Sequence, residues 1–388
     1  MKLYWQLIKA LFRKFVLRRN TGAVIRDFAE KMGIVYIKLA QMLATQNYGK
    51  VFTEEDRRAL ASICDDCSSI SYQEIEAILR AEYGDFEEIF SSVDPEPVGA
   101  ASVSQVHRGV LKSGEEVAIK VKRQDVTQAM ETEIKRIKSL MHRFGWLFKF
   151  RNLTGGEHAL DLYLEWIRQE TDFNHEVSNI ELYQEFAQNV NGRLSGAHRI
   201  KVPKVYKQYC TDNIVVMEFV KATTVNRLPL NPATKEKVRV AINDYLRLSF
   251  WAMFHDQQII FHGDPHSGNI CIDDDGDIWF LDMGLLCVMS SEDAKLCRTL
   301  FLAAYAGNAA KLFDLLVGYG EMNEEQQLKF KERCEVCCRQ VRGKEVTYYF
   351  VDMINVCLEY EFVPPDFLFS MAKAFICLNG INKMTDNQ

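Results

Sequence analysis

Apolar residues recur at helical spacing through most of the chain, and this periodicity sets the first expectations. Tyr4, Leu7, Ile8, Leu11, Phe12, Phe15 and Val16 fall on one side of MKLYWQLIKALFRKFVLRRN, which predicts an amphipathic helix over residues 1–20. A second apolar-periodic run covers Ile34 to Leu43, Thr53-Glu-Glu-Asp56 reads as a capping box, and a further helix is expected around Tyr72 to Tyr83. After Asp94-Pro-Glu-Pro97 the pattern changes to alternation: Ser104 to Leu111, a Lys112-Ser-Gly114 turn and Glu116 to Lys122 predict a hairpin. Residues 125–190 return to helix. Lys204 to Gln208 and Ile214 to Val220 read as strands, and a long helix is expected from about Pro232 to Gln258. Two short strands then flank a turn at Asp273-Asp-Asp-Gly276, and helix is expected from Ser290 onward. No internal repeat and no low-complexity tract interrupts this order.

The pattern predicts an α+β fold in four segments: a basic amphipathic helix at 1–20, a helical extension at 21–94, a small sheet-bearing lobe with inserted helices at 95–220, and a helical large lobe at 221–388. A chain of 388 residues that is 48% hydrophobic has the material for real cores. The formal net charge is -6, although residues 1–20 carry Lys2, Lys9, Arg13, Lys14, Arg18 and Arg19 and no acid. No nucleic-acid partner is expected. The basic helix suits an anionic membrane surface, or docks on the rest of the protein. No segment reaches the roughly 18 uninterrupted apolar residues that a membrane span needs. The expected location is therefore cytoplasmic and peripheral on a membrane, without a transmembrane span. The 11 cysteines are scattered through long periodic segments, which favours reduced thiols. Cys64 and Cys67 form a CxxC and Cys334, Cys337 and Cys338 a CxxCC; buried thiols account for them better than a zinc site does.

The chemistry concentrates in FHGDPHSGNICIDDDGDIWFLDMG, Phe261 to Gly284. Asp264, Asn269 and Asp282 stand on loops flanking a tight hairpin, where they supply hard oxygen ligands for Mg²⁺ and a carboxylate to face a hydroxyl or water. Protein kinases place a catalytic-loop Asp, an Asn five residues on, and a D-x-G after a hairpin in the same order. Such a site also needs a cation for the nucleotide phosphates, and Glu116-Val-Ala-Ile-Lys120 supplies it as the kinase V-A-I-K signature. One of Glu170, Asp172 and Glu176, in QETDFNHEVSN, is expected to pair with Lys120. The segment PVGAASVSQVH stands where a kinase has G-x-G-x-x-G; Gly99, Ala100, Ala101 and Ser102 would cover the phosphates, and alanine makes that loop stiffer. Met217-Glu-Phe-Val220 would be the hinge, with Glu218 and Val220 offering backbone to adenine. His262 and His266 read as histidines that orient the catalytic turn rather than as metal ligands.

Together YIKLAQMLATQ, PVGAASVSQVH, VAIKVKR, QETDFNHEVSN, FHGDPHSGN and LDMG resemble the UbiB family of atypical kinase-like proteins, also called the AarF-domain or ADCK group, associated with ubiquinone biosynthesis. The resemblance implies a protein-kinase-like two-lobed fold with an N-terminal helical extension, ATP and Mg²⁺ as cofactors, and phosphoryl transfer or hydrolysis. It implies that Lys120 holds the phosphates and Glu176 holds Lys120. Asp264 would then be the catalytic-loop Asp, and Asn269 and Asp282 the magnesium ligands. The family's ExD motif matches Glu170 and Asp172, and its KxGQ motif matches Lys38 and Gln41, with Lys38 paired to ExD. It further implies support of isoprenoid-quinone biosynthesis, with lipid or quinone intermediates and quinone-biosynthesis enzymes as partners. Two departures stand out: Ala40 replaces the glycine of KxGQ, which puts close helix packing there in question, and Ser267 replaces the proline of the HxDPHPGN loop.

Three other functions share parts of this equipment. A protein kinase would show A-P-E after Asp282-Met-Gly284, and none follows. A small-molecule phosphotransferase of the aminoglycoside or choline-kinase type shares the HGD, Asn and second Asp but lacks the ExD and Lys38 motifs. A nucleotide-dependent scaffold would bind ATP without chemistry, and substituting Asp264 separates the two.

Overall fold

The computed structural model describes residues 20–45, 53–61, 69–148, 157–229, 231–255, 259–319, 322–341, 353 and 365–385. The helix expected over 1–20 lies outside these residues except for Asn20, and Cys64 and Cys67 lie outside them altogether. In chain order the elements are helices α1 (Thr21–Met32), α2 (Ile34–Thr45), α3 (Glu54–Ala61) and α4 (Tyr72–Tyr83), and strands β1 (Phe90–Ala100), β2 (Ser104–Leu111) and β3 (Glu116–Lys122). Helices α5 (Val126–Phe148), α6 (Glu157–Gln169) and α7 (Phe173–Val190) follow, then β4 (Ile200–Lys201), β5 (Ile214–Glu218) and helix α8 (Pro232–His255). Strands β6 (Ile259–His262), β7 (Ile270–Ile272), β8 (Ile278–Phe280) and β9 (Leu286–Met289) lead to α9 (Ser291–Tyr305), α10 (Ala309–Leu316), α11 (Glu324–Val341) and α12 (Asp366–Thr385).

Local chemistry explains most boundaries. Thr53 and Asp56 form the expected capping box: the Asp56 N–H donates to Thr53 Oγ1 and the Thr53 N–H to Asp56 Oδ2, both at 3.1 Å. Ser71 and Glu74 do the same for α4, which ends at Gly84 with a φ of 73°. Asn231 caps α8 ahead of Pro232, whose missing N–H costs nothing at a first helical position. Strand β3 is buried over its five central residues, in keeping with its interior place in the strand order β1-β2-β3-β5.

Three expectations need correction. Residues 90–100 form a strand, although two prolines in Asp94-Pro-Glu-Pro97 argue for a break; β1 is the edge of its sheet, where a missing N–H is tolerated. Lys204 to Gln208 is not a strand. The Tyr206 N–H donates to Val216 O and the Glu218 N–H to Lys204 O, but after Pro203 the pairing is only a bridge at Val205 and Met217, and Lys207–Tyr209 winds into a 3₁₀ turn. Ile259–His262 and Leu286–Met289, not expected as strands, pair antiparallel with His262 opposite Leu286.

The chain divides into two compact units that interleave along the sequence. The first comprises residues 1–86, 93–107 and 120–171. In it α1, α2 and α3 pack on one another, and α2 packs also on α5 and α6. Between α1 and α2, Gly33 adopts a φ of 137°, and a Cβ there would lie 1.9 Å from Glu133 Oε1. The other carboxylate oxygen of Glu133 accepts the Val35 N–H at 2.9 Å, so α5 caps the helix that carries Lys38. Ala40 is 1% exposed: its methyl sits inside this packing. Gln105 and His107, both fully buried on β2, satisfy each other at 2.9 Å and tie the strand to the backbone of Ile70 and Asp94.

The second unit comprises residues 87–92, 108–119 and 172–388. Its core is aromatic. Tyr183, Tyr245 and Phe280 form one cluster, and Phe250, Phe261 and Phe375 another that seats α12 against α8 and β6. Cys334, Cys337 and Cys338 of α11 are buried, and burial pushes the Cys334 thiol up to about 12. No group of three His, Cys, Asp or Glu side chains placed to hold a metal ion occurs among the described residues. Among the same residues no helix is long and apolar enough to cross a membrane.

Candidate active site

In the second unit the segment Phe261–Gly284 is organised around His262. This ring is 1% exposed, stacks on Phe280 at 4.8 Å and bridges two loops. The Asp264 N–H donates to His262 Nδ1 at 3.0 Å, and Nε2 lies 2.7 Å from the backbone carbonyl of Asp282. An amide nitrogen only donates and a carbonyl only accepts, so the imidazole is neutral and carries its proton on Nε2. Burial lowers its pKa to about 4, against the opposing pull of the Asp264 charge. His262 therefore orients the turn, as expected from the sequence. His266 is exposed and its Nδ1 accepts the Gly268 N–H at 3.1 Å within its own turn.

The β7–β8 hairpin sets the spacing of the acids. Ile270 faces Phe280 and Ile272 faces Ile278, and the ladder continues with the Leu281 N–H donating to Asn269 O at 2.9 Å. Asn269 and Asp282 consequently emerge from the same end of the hairpin. Asn269 Nδ2 reaches back to the Asp264 carbonyl at 3.4 Å, and Asp282 Oδ1 accepts the Gly284 N–H at 2.9 Å. The loop is held from α7 as well, where Asn179 Nδ2 donates to Met283 O at 2.8 Å. Gly263 has a steric reason: a Cβ there would lie 2.7 Å from Leu285 Cγ and 3.0 Å from its carbonyl, while the Gly263 N–H donates to that carbonyl at 2.9 Å. Asp264, Asn269 and Asp282 are all half-buried. An amide oxygen and a carboxylate on one hairpin end are hard oxygen donors, the set that Mg²⁺ prefers, so these residues fit that ion.

Two side chains that sequence reasoning missed reach Asp264 from α12. Lys373 Nζ is 3.2 Å from Asp264 Oδ2, and Cys377 Sγ is 3.7 Å from Oδ1. The signal was a single lysine inside the apolar run DFLFSMAKAFICLNG, since a charge on a buried helix face must meet a partner.

The other expected residues fall as follows. Glu176 is 1% exposed in the first turn of α7, and Asp172 is the exposed cap of that helix, accepting the His175 N–H at 3.0 Å. Glu218 Oε2 accepts the Lys204 N–H at 3.1 Å, the neighbouring Phe219 N–H donates to Glu116 O at 3.2 Å, and Val220 follows half-buried. In the first unit Lys120 is 6% exposed on β3. Gly99 and Ala100 end β1, and the Ala101 N–H donates to Ser104 O at 2.8 Å across the turn that contains Ser102. None of these four takes a positive φ, so alanine stands there without strain. Lys38 is ion-paired to Glu170, and Tyr163 donates to the Lys38 carbonyl at 3.0 Å; Gln41 lies on the same helix. The ExD motif thus has two separate duties: Glu170 meets Lys38 and Asp172 caps α7.

Residues 62–316 match the ABC1 atypical kinase-like domain. The chain belongs to the ABC1 atypical kinase-like family, the group that includes the UbiB proteins. An ABC1 family protein of Schizosaccharomyces pombe is 29% identical over 297 residues, 75% of this chain and 53% of that protein. The chloroplastic protein ACTIVITY OF BC1 COMPLEX KINASE 7 of Arabidopsis thaliana is 26% identical over 95% of this chain and 52% of its own length. A probable protein kinase UbiB of Shewanella baltica is 25% identical over 93% and 66%. The chain therefore spans between 52% and 66% of the length of these relatives. Among solved structures, Rv3197 of Mycobacterium tuberculosis, determined with erythromycin, matches with a TM-score of 0.52 at 18% identity over 82% of each chain. That likeness is one of fold. The ABC1 chain has the α+β, kinase-like fold that its sequence predicts.

Proposed function

We propose that this ABC1 protein binds MgATP and hydrolyses it or transfers its terminal phosphate. The observation that carries the reading is the single hydrogen-bonded assembly that His262 makes of Asp264, Asn269 and Asp282. Asn269 and Asp282 would hold Mg²⁺, which when bound neutralises phosphate charge. Lys120 would hold the phosphates by its charge, with Glu176 to hold Lys120, and the Gly99–Ser102 turn would cover them. Glu218 and Val220 would offer backbone to the adenine. Asp264 would orient the attacking hydroxyl or water and take its proton.

Kinship with proteins named UbiB supports a finer reading: a role in isoprenoid-quinone biosynthesis at an anionic membrane surface, with lipid or quinone intermediates and quinone-biosynthesis enzymes as partners. The basic segment 1–20 would make the membrane contact. The test is Mg²⁺-dependent phosphate release from ATP, with and without anionic lipid vesicles, for the wild type and Asp282→Asn. Release that vesicles stimulate and the substitution abolishes is expected. A wild type that binds no MgATP overturns the reading, and one that binds it without release leaves a nucleotide-dependent scaffold or a kinase that lacks its acceptor.

A further inference from the structure

Helix α12 buries Leu368, Met371, Ala372, Phe375 and Leu378, and its Cys297 neighbour in α9 touches Met371 at 3.6 Å. Lys373 interrupts this apolar run, yet its side chain is only 14% exposed. An ammonium so far from water is costly unless a carboxylate meets it, and Asp264 does so through Oδ2 at 3.2 Å. One helical turn later Cys377 stands on the same face and approaches Oδ1 at 3.7 Å. Burial, and next the Asp264 charge, keep the thiol pKa well above its ordinary value, so sulfur meets the carboxylate as an S–H donor. Each Asp264 oxygen is thus engaged from α12, by side chains outside every motif that marks the site.

An uncompensated carboxylate at this position would repel the terminal phosphate of a nucleotide, because both carry negative charge. The geometry points to Lys373 as a positioning residue: its ammonium neutralises and fixes the Asp264 carboxylate, so that the terminal phosphate of ATP is accepted beside it. This inference rests on the MgATP reading above. It acts through Asp264, which separates it from a general packing role for α12.

Binding of MgATP and MgADP to the full chain decides it, measured by titration calorimetry for the wild type, Lys373→Met, Lys373→Arg, Asp264→Asn and the Asp264→Asn/Lys373→Met pair. Lys373→Met is expected to lose about tenfold more affinity for MgATP than for MgADP, the order of one charge pair a few ångströms apart in a largely aqueous setting. Lys373→Arg should retain the wild-type ratio, and in the Asp264→Asn background Lys373→Met should leave the ratio unchanged. An unaltered ratio in Lys373→Met, or a selective loss of MgATP that persists without the Asp264 charge, overturns the inference alone. Should Lys373→Met fail to fold, the comparison of Asp264→Asn with the double variant decides by the same criterion. A wild type that binds neither nucleotide overturns the MgATP reading and the inference with it.

Discussion

His262 donates its Nε2–H to the Asp282 carbonyl at 2.7 Å while its Nδ1 accepts the Asp264 N–H at 3.0 Å, so one neutral ring sets the separation of two acidic loops. Replacing it with a residue of no polar atom, as in His262→Leu, leaves a backbone donor and a backbone acceptor unpaired in the core. The expected loss is roughly 3 kcal/mol, read from urea unfolding. A loss below about 0.5 kcal/mol would mean that water or a neighbour replaces the ring.

Asp244, 5% exposed on α8, gives a pH-dependent prediction. Burial alone would raise its pKa, but the backbone and ring N–H groups of His198 and the guanidinium of Arg247 outweigh it, and the carboxyl is held below its ordinary 3.8. A depressed folded-state pKa contributes stability that is present above 3.8 and is lost as pH falls through the folded value. Asp244→Asn should therefore cost about 1–3 kcal/mol at neutral pH, and the gap from wild type should narrow below the ordinary carboxylate value. Parallel unfolding curves at every pH would refute the assignment.

Gly263 and Gly99 should respond differently to the same added methyl. At Gly263 it meets the Leu285 carbonyl and side chain, so Gly263→Ala should destabilise by about 1–3 kcal/mol. At Gly99 a Cβ meets nothing within 4 Å and φ is not left-handed, so Gly99→Ala should leave the melting temperature unchanged. Equal effects at the two sites would contradict the packing described for the turn at Gly263.

The Lys38–Glu170 pair is mostly buried, with side chains 17% and 25% exposed. Breaking such a pair from one side strands a charge, and Lys38→Met alone should cost roughly 3 kcal/mol. Adding Glu170→Gln should recover part of that loss, giving a coupling of about 1–3 kcal/mol in a double-mutant cycle. Strict additivity would show that the two side chains act independently.

How far the sequence can be read depends on the distance over which its signals act. Asp264, Asn269 and Asp282 were legible because the hairpin between them is local and its register follows from alternation and a four-residue turn. The capping box at Thr53 and Asp56 was legible for the same reason. Strand β1 was not, because its prolines obey the chemistry of a sheet edge, and no local pattern reveals which strand will be an edge. Strands β6 and β9 were not, because no tight turn joins them: His262 pairs with Leu286 across 24 positions, whereas the shorter β7 and β8 are marked by the turn between them. Glu133 and Lys373 were missed because each serves a partner about a hundred positions away: Glu133 caps α2 at a separation of 98 residues, and Lys373 answers the charge of Asp264. A polar residue inside an apolar stripe announces that it has a partner without saying where.

That distance also has a consequence in time. Asp264 is made long before the helix that engages it, since Cys377 follows by 113 residues. At ordinary rates of protein synthesis the interval is roughly ten seconds. During it the nascent chain carries the HGD turn, the paired acids and the strands around them, but not the ammonium that offsets the carboxylate. The site is therefore completed late in translation, and a ribosome that stalls before α12 leaves Asp264 without its counter-charge.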